Sequence, residues 1–508
     1  MESADDLRQL VVDATTASTA EARCAAVAAV PPSLVASLLH AGLAGGPRPE
    51  ALGTGVAASP GAASGALCLT TEAVLDASDR GEASVLVRDE TTPADEVGMR
   101  EAAGIVTARG GMAGHAAVVA RGWGIPAVVG VADLRVADNH VVLGGRRLDE
   151  GSAVSLDGST GEVFAGEADL AGTVYLPELD VLLSWADEIR DNRVGVRANA
   201  DRADDAARAR DFGAEGIGLC RTEHLFLGER LPLVQRFLAA EDPAEEAAAL
   251  DDLEVVQRSD LVGVLEAMAP HPVVVRLLDA PQHEFRGDTA KDREYNPMLG
   301  TRGVRLAILR EGLYRMQVRA LCAAVADARA AGAEPHASVM LPLVATASEL
   351  VLVRGWVLDE MATSAIGDAL PVGTMVETPR AALRADDLAI HADFFSFGTN
   401  DLTQMVFGLS RDDAERELMG RYRERGVLDA NPFEHLDEGA VAPLVAAAIR
   451  AGRKTRPGLE VGVCGEHGGD PRSIHLLVEA GVDYVSCSPF RVPVARLAVA
   501  QALIAQGA

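Results

Sequence analysis

The chain has 508 residues, 48% of them hydrophobic and 24% charged, which is ordinary for a globular protein of two or three domains. Its 46 basic against 75 acidic residues leave a formal charge of −29. That excludes nucleic acid as a partner but not a small anion, because charges are screened beyond roughly 8 Å at physiological salt. No apolar run reaches the ~20 residues that span a bilayer. The acidic start Met1-Glu2-Ser3-Ala4-Asp5-Asp6 lacks a signal-peptide layout, so no membrane partner and a cytoplasmic location are expected.

Six cysteines (Cys24, Cys68, Cys220, Cys322, Cys464, Cys487) are scattered with no C-x-x-C spacing, which argues against a zinc site or a disulfide framework and leaves a thiol available for catalysis. Lysine occurs only as Lys291 and Lys454, and no G-x-x-x-x-G-K-[ST] phosphate loop is present.

In chain order, residues 1–48 are alanine-rich and predict one or two short helices. Residues 49–165 carry short β runs punctuated by glycine, among them Ser84–Val87, Gly104–Thr107, Ala127–Gly130 and His140–Leu143, and predict a compact β-rich domain with few helices. Within it, Arg109-Gly110-Gly111 reads as a turn and Ala116–Arg121 as the first turn of a helix, which places His115 at a helix N-terminus. A histidine there either caps the turn or acts as a nucleophile beside backbone N–H groups that would stabilise a phosphoryl group.

Residues 166–192 predict a helical linker with Leu176, Leu179, Leu182 and Trp185 on its apolar side. Eight apolar runs follow over residues 193–508: Val194–Ala198, Gly216–Cys220, Val273–Leu278, Ser338–Leu343, Val372–Val376, Phe394–Phe397, Val461–Cys464 and Tyr484–Cys487. Most are separated by helical stretches, the pattern of a (β/α)8 barrel, whose active sites lie at the strand C-terminal ends. Those ends carry Asn199, Arg221 with Glu223, Asp279, Glu377, Asn400 with Asp401, Glu466 and Cys487.

Glu377 and Asp401 would supply part of an octahedral Mg²⁺ site, or else are strand-end acids paired with arginines. Arg221, Arg276, Arg302 and Arg411 are guanidinium forks suited to phosphate or carboxylate. Together with the two carboxylates they point to a compact, multiply charged oxyanion. Cys487 is either a buried inert thiol or a proton donor.

The segments GGMAGHAAVVAR (110–121), GIGLCRTEHLF (216–226), NPMLGTRGVRL (296–306), VGTMVETPRAA (372–382), FFSFGTNDLTQ (394–404), VCGEHGGDP (463–471) and DYVSCSPFRVPVARLAVAQA (483–502) resemble the phosphoenolpyruvate-utilising enzyme family, nearest its pyruvate, phosphate dikinase branch. The resemblance implies an α/β protein in which a swivelling β/β/α phosphohistidine domain is followed by a (β/α)8 TIM-type barrel. It implies His115 as the phosphorylated histidine and Cys487 as the proton donor to C3 of enolpyruvate. Arg221, Arg302 and Asn400 match residues that hold phosphoenolpyruvate, with Gly398 and Thr399 as neighbouring backbone contacts. Glu377 and Asp401 match the Mg²⁺ ligands.

Two departures stand out. The dikinases carry an ATP-grasp nucleotide domain ahead of the segment that residues 1–48 resemble, so the sequence reads as such an enzyme lacking that domain. The second phosphoryl partner is then expected to be a separate ATP-grasp or phosphocarrier protein. Ala113-Gly114 also stands where the family has a hydroxyl residue two before the histidine. The expected activity is reversible phosphoryl transfer between phosphoenolpyruvate and His115 with release of pyruvate, in a homodimer formed through the barrel. The alternatives are an enzyme I-like phosphotransferase or a non-catalytic phosphoenolpyruvate-sensing subunit.

Overall fold

β-branched runs bounded by glycine dominate the first third of the chain, and apolar strands alternating with helices dominate the rest. A computed structural model, describing residues 4–44, 49–112, 114–172, 176–226, 230–281, 285 and 296–507, turns these two patterns into two compact units. One comprises Met1–Ile189, Leu409–Glu434 and Arg496–Ala508, and the other Arg190–Gly408 and His435–Ala495.

The first unit is built on an eight-stranded sheet. Its inner strands Ala62–Cys68, Ser84–Arg88, Gly104–Thr107 and Ala127–Val129 run parallel, and antiparallel strands flank them. The helix His115–Trp123 crosses between the last two parallel strands. It buries Ala116, Ala117 and Ala120 among Ala58, Leu86, Ile105, Ala127 and Val129, where small side chains let helix and sheet approach closely.

The N-terminal region contains three helices, Ala4–Ala17, Ala20–Ala29 and Pro32–Leu38, more than the one or two expected. Ser18, at φ 52°, and Pro31 stand at the two breaks between them. The Gln501 side chain donates to Val27 O and Val30 O, satisfying carbonyls at the end of the second helix.

The helical reading of 166–192 needs correction. The helix covers Pro177–Arg190, while Leu170–Ala171 pairs antiparallel with Gly42–Leu43. Chain entering the sheet region therefore lies beside chain leaving it.

In the second unit the eight apolar runs form a closed barrel of parallel strands: Gly195–Asn199, Ile217–Arg221, Pro272–Arg276, His336–Leu341, Val372–Val376, Phe394–Phe397, Glu460–Val463 and Tyr484–Cys487. Leu219, Val274, Met340, Met375, Phe394 and Cys464 share one buried cluster. Glycine makes room where the barrel is tightest, since a Cβ on Gly462 would sit 1.9 Å from Cζ of the Tyr484 ring. Barrel closure leaves no sheet edge exposed, and a strand buried on both faces explains why these runs lack alternation. Among the described residues, no helix is long and apolar enough to cross a membrane.

Candidate active site

His115 is the first residue of its helix, at the carboxyl end of the strand Gly104–Thr107. Its ring is held on both sides: Nδ1 lies 3.0 Å from Thr91 Oγ1, and Nε2 lies 3.2 Å from Glu96 Oε1. Both partners follow the adjacent parallel strand, Ser84–Arg88. Asp95 braces that connection by accepting from Thr92 N at 2.9 Å and pairing with Arg88 at 3.1 Å.

Arg121, one helix face away, donates to Met112 O and Ala58 O, tying the glycine turn to the sheet. With Ala113-Gly114 offering no hydroxyl, the hydroxyl beside the ring is that of Thr91, from the loop after another strand. Ala113 itself lies outside the described residues.

In the barrel, the residues singled out from the sequence gather at the strand C-terminal ends. Arg221 ends the second strand, Glu377 directly follows the fifth, and Cys487 ends the eighth. Asn400 and Asp401 lie in the first turn of the helix Thr399–Phe407, which Gly398 precedes. Arg411 opens the short helix Arg411–Glu417, which belongs to the first unit and not to the unit that holds the barrel.

Arg302 is the hub of the barrel mouth. Its fork meets Asp279 at 2.8 and 2.9 Å and Asp401 at 3.2 and 3.1 Å. Asp279 also pairs with Arg276 at 3.4 Å, and Arg276 with Glu223. Arg302 and Arg276 are nearly buried, so the network is desolvated, and removing one partner from such a pair costs ~3–5 kcal/mol.

Glu377, 1% exposed, accepts from Leu343 N at 2.6 Å through Oε1. Its Oε2 is buried with no hydrogen-bond partner among the described residues. Burial and the nearby charges of Asp279 and Asp401 push its carboxyl up to about 8. A Cβ on Gly398 would lie 2.7 Å from that same Oε2, so only glycine fits beside it. Such an orphaned carboxyl oxygen is suited to a cation, whose charge would favour the ionised form that burial disfavours.

Asn400 Oδ1 accepts from Glu466 N at 3.0 Å, and Thr399 Oγ1 lies 2.8 Å from His467 Nδ1, which ties the sixth and seventh strand ends together. Cys487 is 2% exposed, and burial pushes its thiol up to about 12, only partly offset by Arg491, with Glu466 adding to the rise. It is therefore an SH group at neutral pH, able to give a proton rather than attack.

Several supporting residues have no sequence signal of their own. Gln317, buried on the helix Glu311–Ala330, accepts from Leu278 N at 2.9 Å and donates to Thr222 Oγ1 at 2.9 Å. Tyr314 of the same helix donates to Leu278 O at 2.9 Å. Thr91, Glu96 and Asp201 were likewise not singled out. For Thr91 and Asp201 the one legible cue is position just past the end of a parallel strand, whereas Glu96 opens the helix Glu96–Glu101.

Residues 179–504 match the family described as PEP-utilising enzyme, PEP-binding domain, and residues 81–161 match PEP-utilising enzyme, mobile domain. The chain is 45% identical to pyruvate, phosphate dikinase 1 of Arabidopsis thaliana over 95% of its own length and 53% of that protein's. It is 44% identical to pyruvate, phosphate dikinase of Rhizobium meliloti, covering 94% of this chain and 56% of the relative. For pyruvate, phosphate dikinase 2 of Zea mays the identity is 45%, over 95% and 58%. The chain thus spans about half the length of the curated relatives it matches. With a barrel whose charged mouth lies inside the matched PEP-binding region, and a separate sheet domain carrying His115 inside the matched mobile region, the chain belongs to the phosphoenolpyruvate-utilising enzyme family.

Proposed function

We propose that this chain performs the phosphoenolpyruvate half of a pyruvate, phosphate dikinase-like reaction, moving a phosphoryl group reversibly between phosphoenolpyruvate and His115 and releasing pyruvate. The observation that carries the reading is the barrel mouth, where Arg302, Arg276, Asp279 and Asp401 surround a Glu377 oxygen that is buried and unpartnered among the described residues.

In this reading Arg221 and Arg302 grip the phosphoryl oxygens, while Asn400 and the backbone at Gly398 and Thr399 position the substrate. Glu377 and Asp401 would hold Mg²⁺, which supplies charge stabilisation for the departing enolate oxygen and fits a two-carboxylate site completed by substrate and water. The Nδ1 bond to Thr91 orients the imidazole, and with the proton on Nδ1 the Nε2 lone pair attacks phosphorus. Glu96 must release Nε2 for that step. The bond from phosphorus to the enol oxygen breaks, and Cys487 Sγ–H gives its proton to C3, completing pyruvate. Arg491, which moderates the thiol's high pKa, favours the resulting thiolate.

The second half-reaction passes the phosphoryl group between His115 and a partner outside these 508 residues, either an ATP-grasp nucleotide unit or a phosphocarrier protein. Service to two sites asks the His115 domain to swivel as a rigid body. The paired strands Gly42–Leu43 and Leu170–Ala171 support this, because entry and exit run side by side and can bend as one hinge. We place the protein in the cytoplasm as a homodimer through its barrel. Leu309, Leu352, Leu383 and Ile390, on barrel helices or at their ends, are exposed apolar side chains that such a contact would cover.

Incubation with phosphoenolpyruvate labelled at phosphorus, in the presence of Mg²⁺, should give an acid-labile label on His115 and one pyruvate per label. An acid-stable label, or one that persists in His115→Ala, would overturn the reading.

A further inference from the structure

The RTEH sequence at residues 221–224 contains a histidine to which the phosphoryl-transfer reading gives no task. His224 Nδ1 lies 2.8 Å from Asp201 Oδ2. The same carboxylate accepts from Arg221 N through Oδ1 at 2.6 Å and stands 3.6 Å from Arg221 Nε. One side chain therefore holds the main chain of Arg221, the root of its guanidinium and the imidazole of His224. Asp201 is closed off, with 13% of its side chain exposed, whereas His224 is 35% exposed and can exchange a proton with solvent.

The charges facing the imidazole are Arg221, Asp201 and Glu223. Burial and Arg221 disfavour its protonated form. The charge and hydrogen bond of Asp201, helped by Glu223, outweigh them and raise its pKa above the ordinary value. When His224 is protonated, Asp201 is shared between two cations, and more of the Arg221 charge is left to face an anion. When His224 loses its proton, Asp201 is neutralised by Arg221 alone.

We propose that His224 is a positioning residue for Arg221, acting through Asp201, and that a proton on its imidazole tightens the grip of Arg221 on a phosphoryl dianion. The inference rests on the reading of Arg221 as a phosphoryl ligand.

The test is calorimetric titration of the full chain with phosphoenolpyruvate and Mg²⁺ across the neutral and mildly alkaline range, in two buffers of different ionisation heat. Wild type should take up a proton on binding, and its Kd should rise by about tenfold as His224 deprotonates, the effect of losing one charge-assisted interaction. His224→Asn keeps a donor near the Nδ1 position without a charge. It should bind, yet lose that proton uptake and flatten the pH slope to that of the ligand's own phosphate. His224→Ala should weaken binding throughout by about tenfold or more. In the ligand-free protein, the ring-nitrogen NMR titration of His224 should move to lower pH in Asp201→Asn.

If wild type binds, Arg221→Ala does not, and His224→Asn keeps the wild-type slope and proton uptake, the relay is overturned while the site reading stands. If wild type binds no phosphoenolpyruvate, the site reading falls and takes the relay with it. An unmoved His224 titration in Asp201→Asn also overturns the relay, whatever binds.

Discussion

Leu343 aims its backbone N–H at Glu377 Oε1, 2.6 Å away, from a left-handed conformation with φ 55°. A buried leucine in that region is strained, and the strain persists because the surrounding structure over-determines it. The bond occupies one carboxylate oxygen and leaves Oε2 as the oxygen available to a ligand. Glu377→Gln retains an acceptor for Leu343 and removes a carboxyl whose ionised form burial already disfavours. Its thermal midpoint, measured by calorimetry, should match or exceed wild type. Its phosphoenolpyruvate-dependent labelling should fall by at least ~100-fold, since even residues behind a metal ligand are worth 10–100-fold.

Gly398→Ala tests the same corner from the other side. Its added Cβ would meet Glu377 Oε2 at 2.7 Å, Glu377 Cβ at 2.9 Å and Met375 Sδ at 2.9 Å. Glu377 must then shift, so the apparent Mg²⁺ requirement in the labelling assay should rise about tenfold or more. Overpacking should also cost ~1–3 kcal/mol in a denaturant titration. An unchanged Mg²⁺ requirement would show that Glu377 has no part in holding the ion.

Thr91→Val removes the hydroxyl on His115 Nδ1 while keeping the shape of the side chain. Loss of one orienting hydrogen bond should slow formation of the phosphohistidine by about tenfold in a quenched-flow measurement. Calorimetric binding of phosphoenolpyruvate should be unchanged, because Thr91 belongs to the unit that does not contain the barrel. A parallel loss of binding would contradict that division of labour.

Five of the six cysteines are buried, and Cys24 is the one with intermediate exposure. A disulfide-exchange thiol reagent should therefore titrate about one thiol rapidly in the native protein and all six after denaturation. Cys487→Ala should still label His115 yet fail to place solvent deuterium stereospecifically at C3 of pyruvate. Normal incorporation in that variant would remove Cys487 from the mechanism.

Asp201 carries a pH prediction of defined sign. Although burial opposes ionisation, Arg221 and His224 hold its carboxyl down at about 2 against an ordinary 3.8. A depressed carboxylate pKa contributes stability that is present above the unfolded value and lost as pH falls through the folded one. Wild type should lose about 2 kcal/mol from this group between about pH 4 and pH 2. In Asp201→Asn, urea titrations over that interval should show a correspondingly shallower decline.

Local sequence determined most of the strands. Val372–Val376, Phe394–Phe397, Tyr484–Cys487 and Gly104–Thr107 begin and end where their apolar runs do, because a strand buried on both faces reads as a near-continuous apolar run. Eight such runs separated by helices were enough to imply a closed barrel, since parallel strands require crossover connections and closure removes the edges. The strand-end positions of Arg221, Glu377 and Cys487 followed from that alone.

Tertiary structure decided what faces what. Arg302 reaches Asp279 and Asp401 across 23 and 99 residues of sequence. Leu343 finds Glu377 across 34 residues, and Thr91 meets His115 from the loop after a neighbouring strand. The strand Leu170–Ala171 exists only because Gly42–Leu43 lies beside it, where propensity alone reads helix. These are side-chain and edge pairings between distant segments, and their energy depends on orientation to within an ångström. No periodicity or composition in the chain encodes such distances, so they emerge only once the sheet and the barrel have closed.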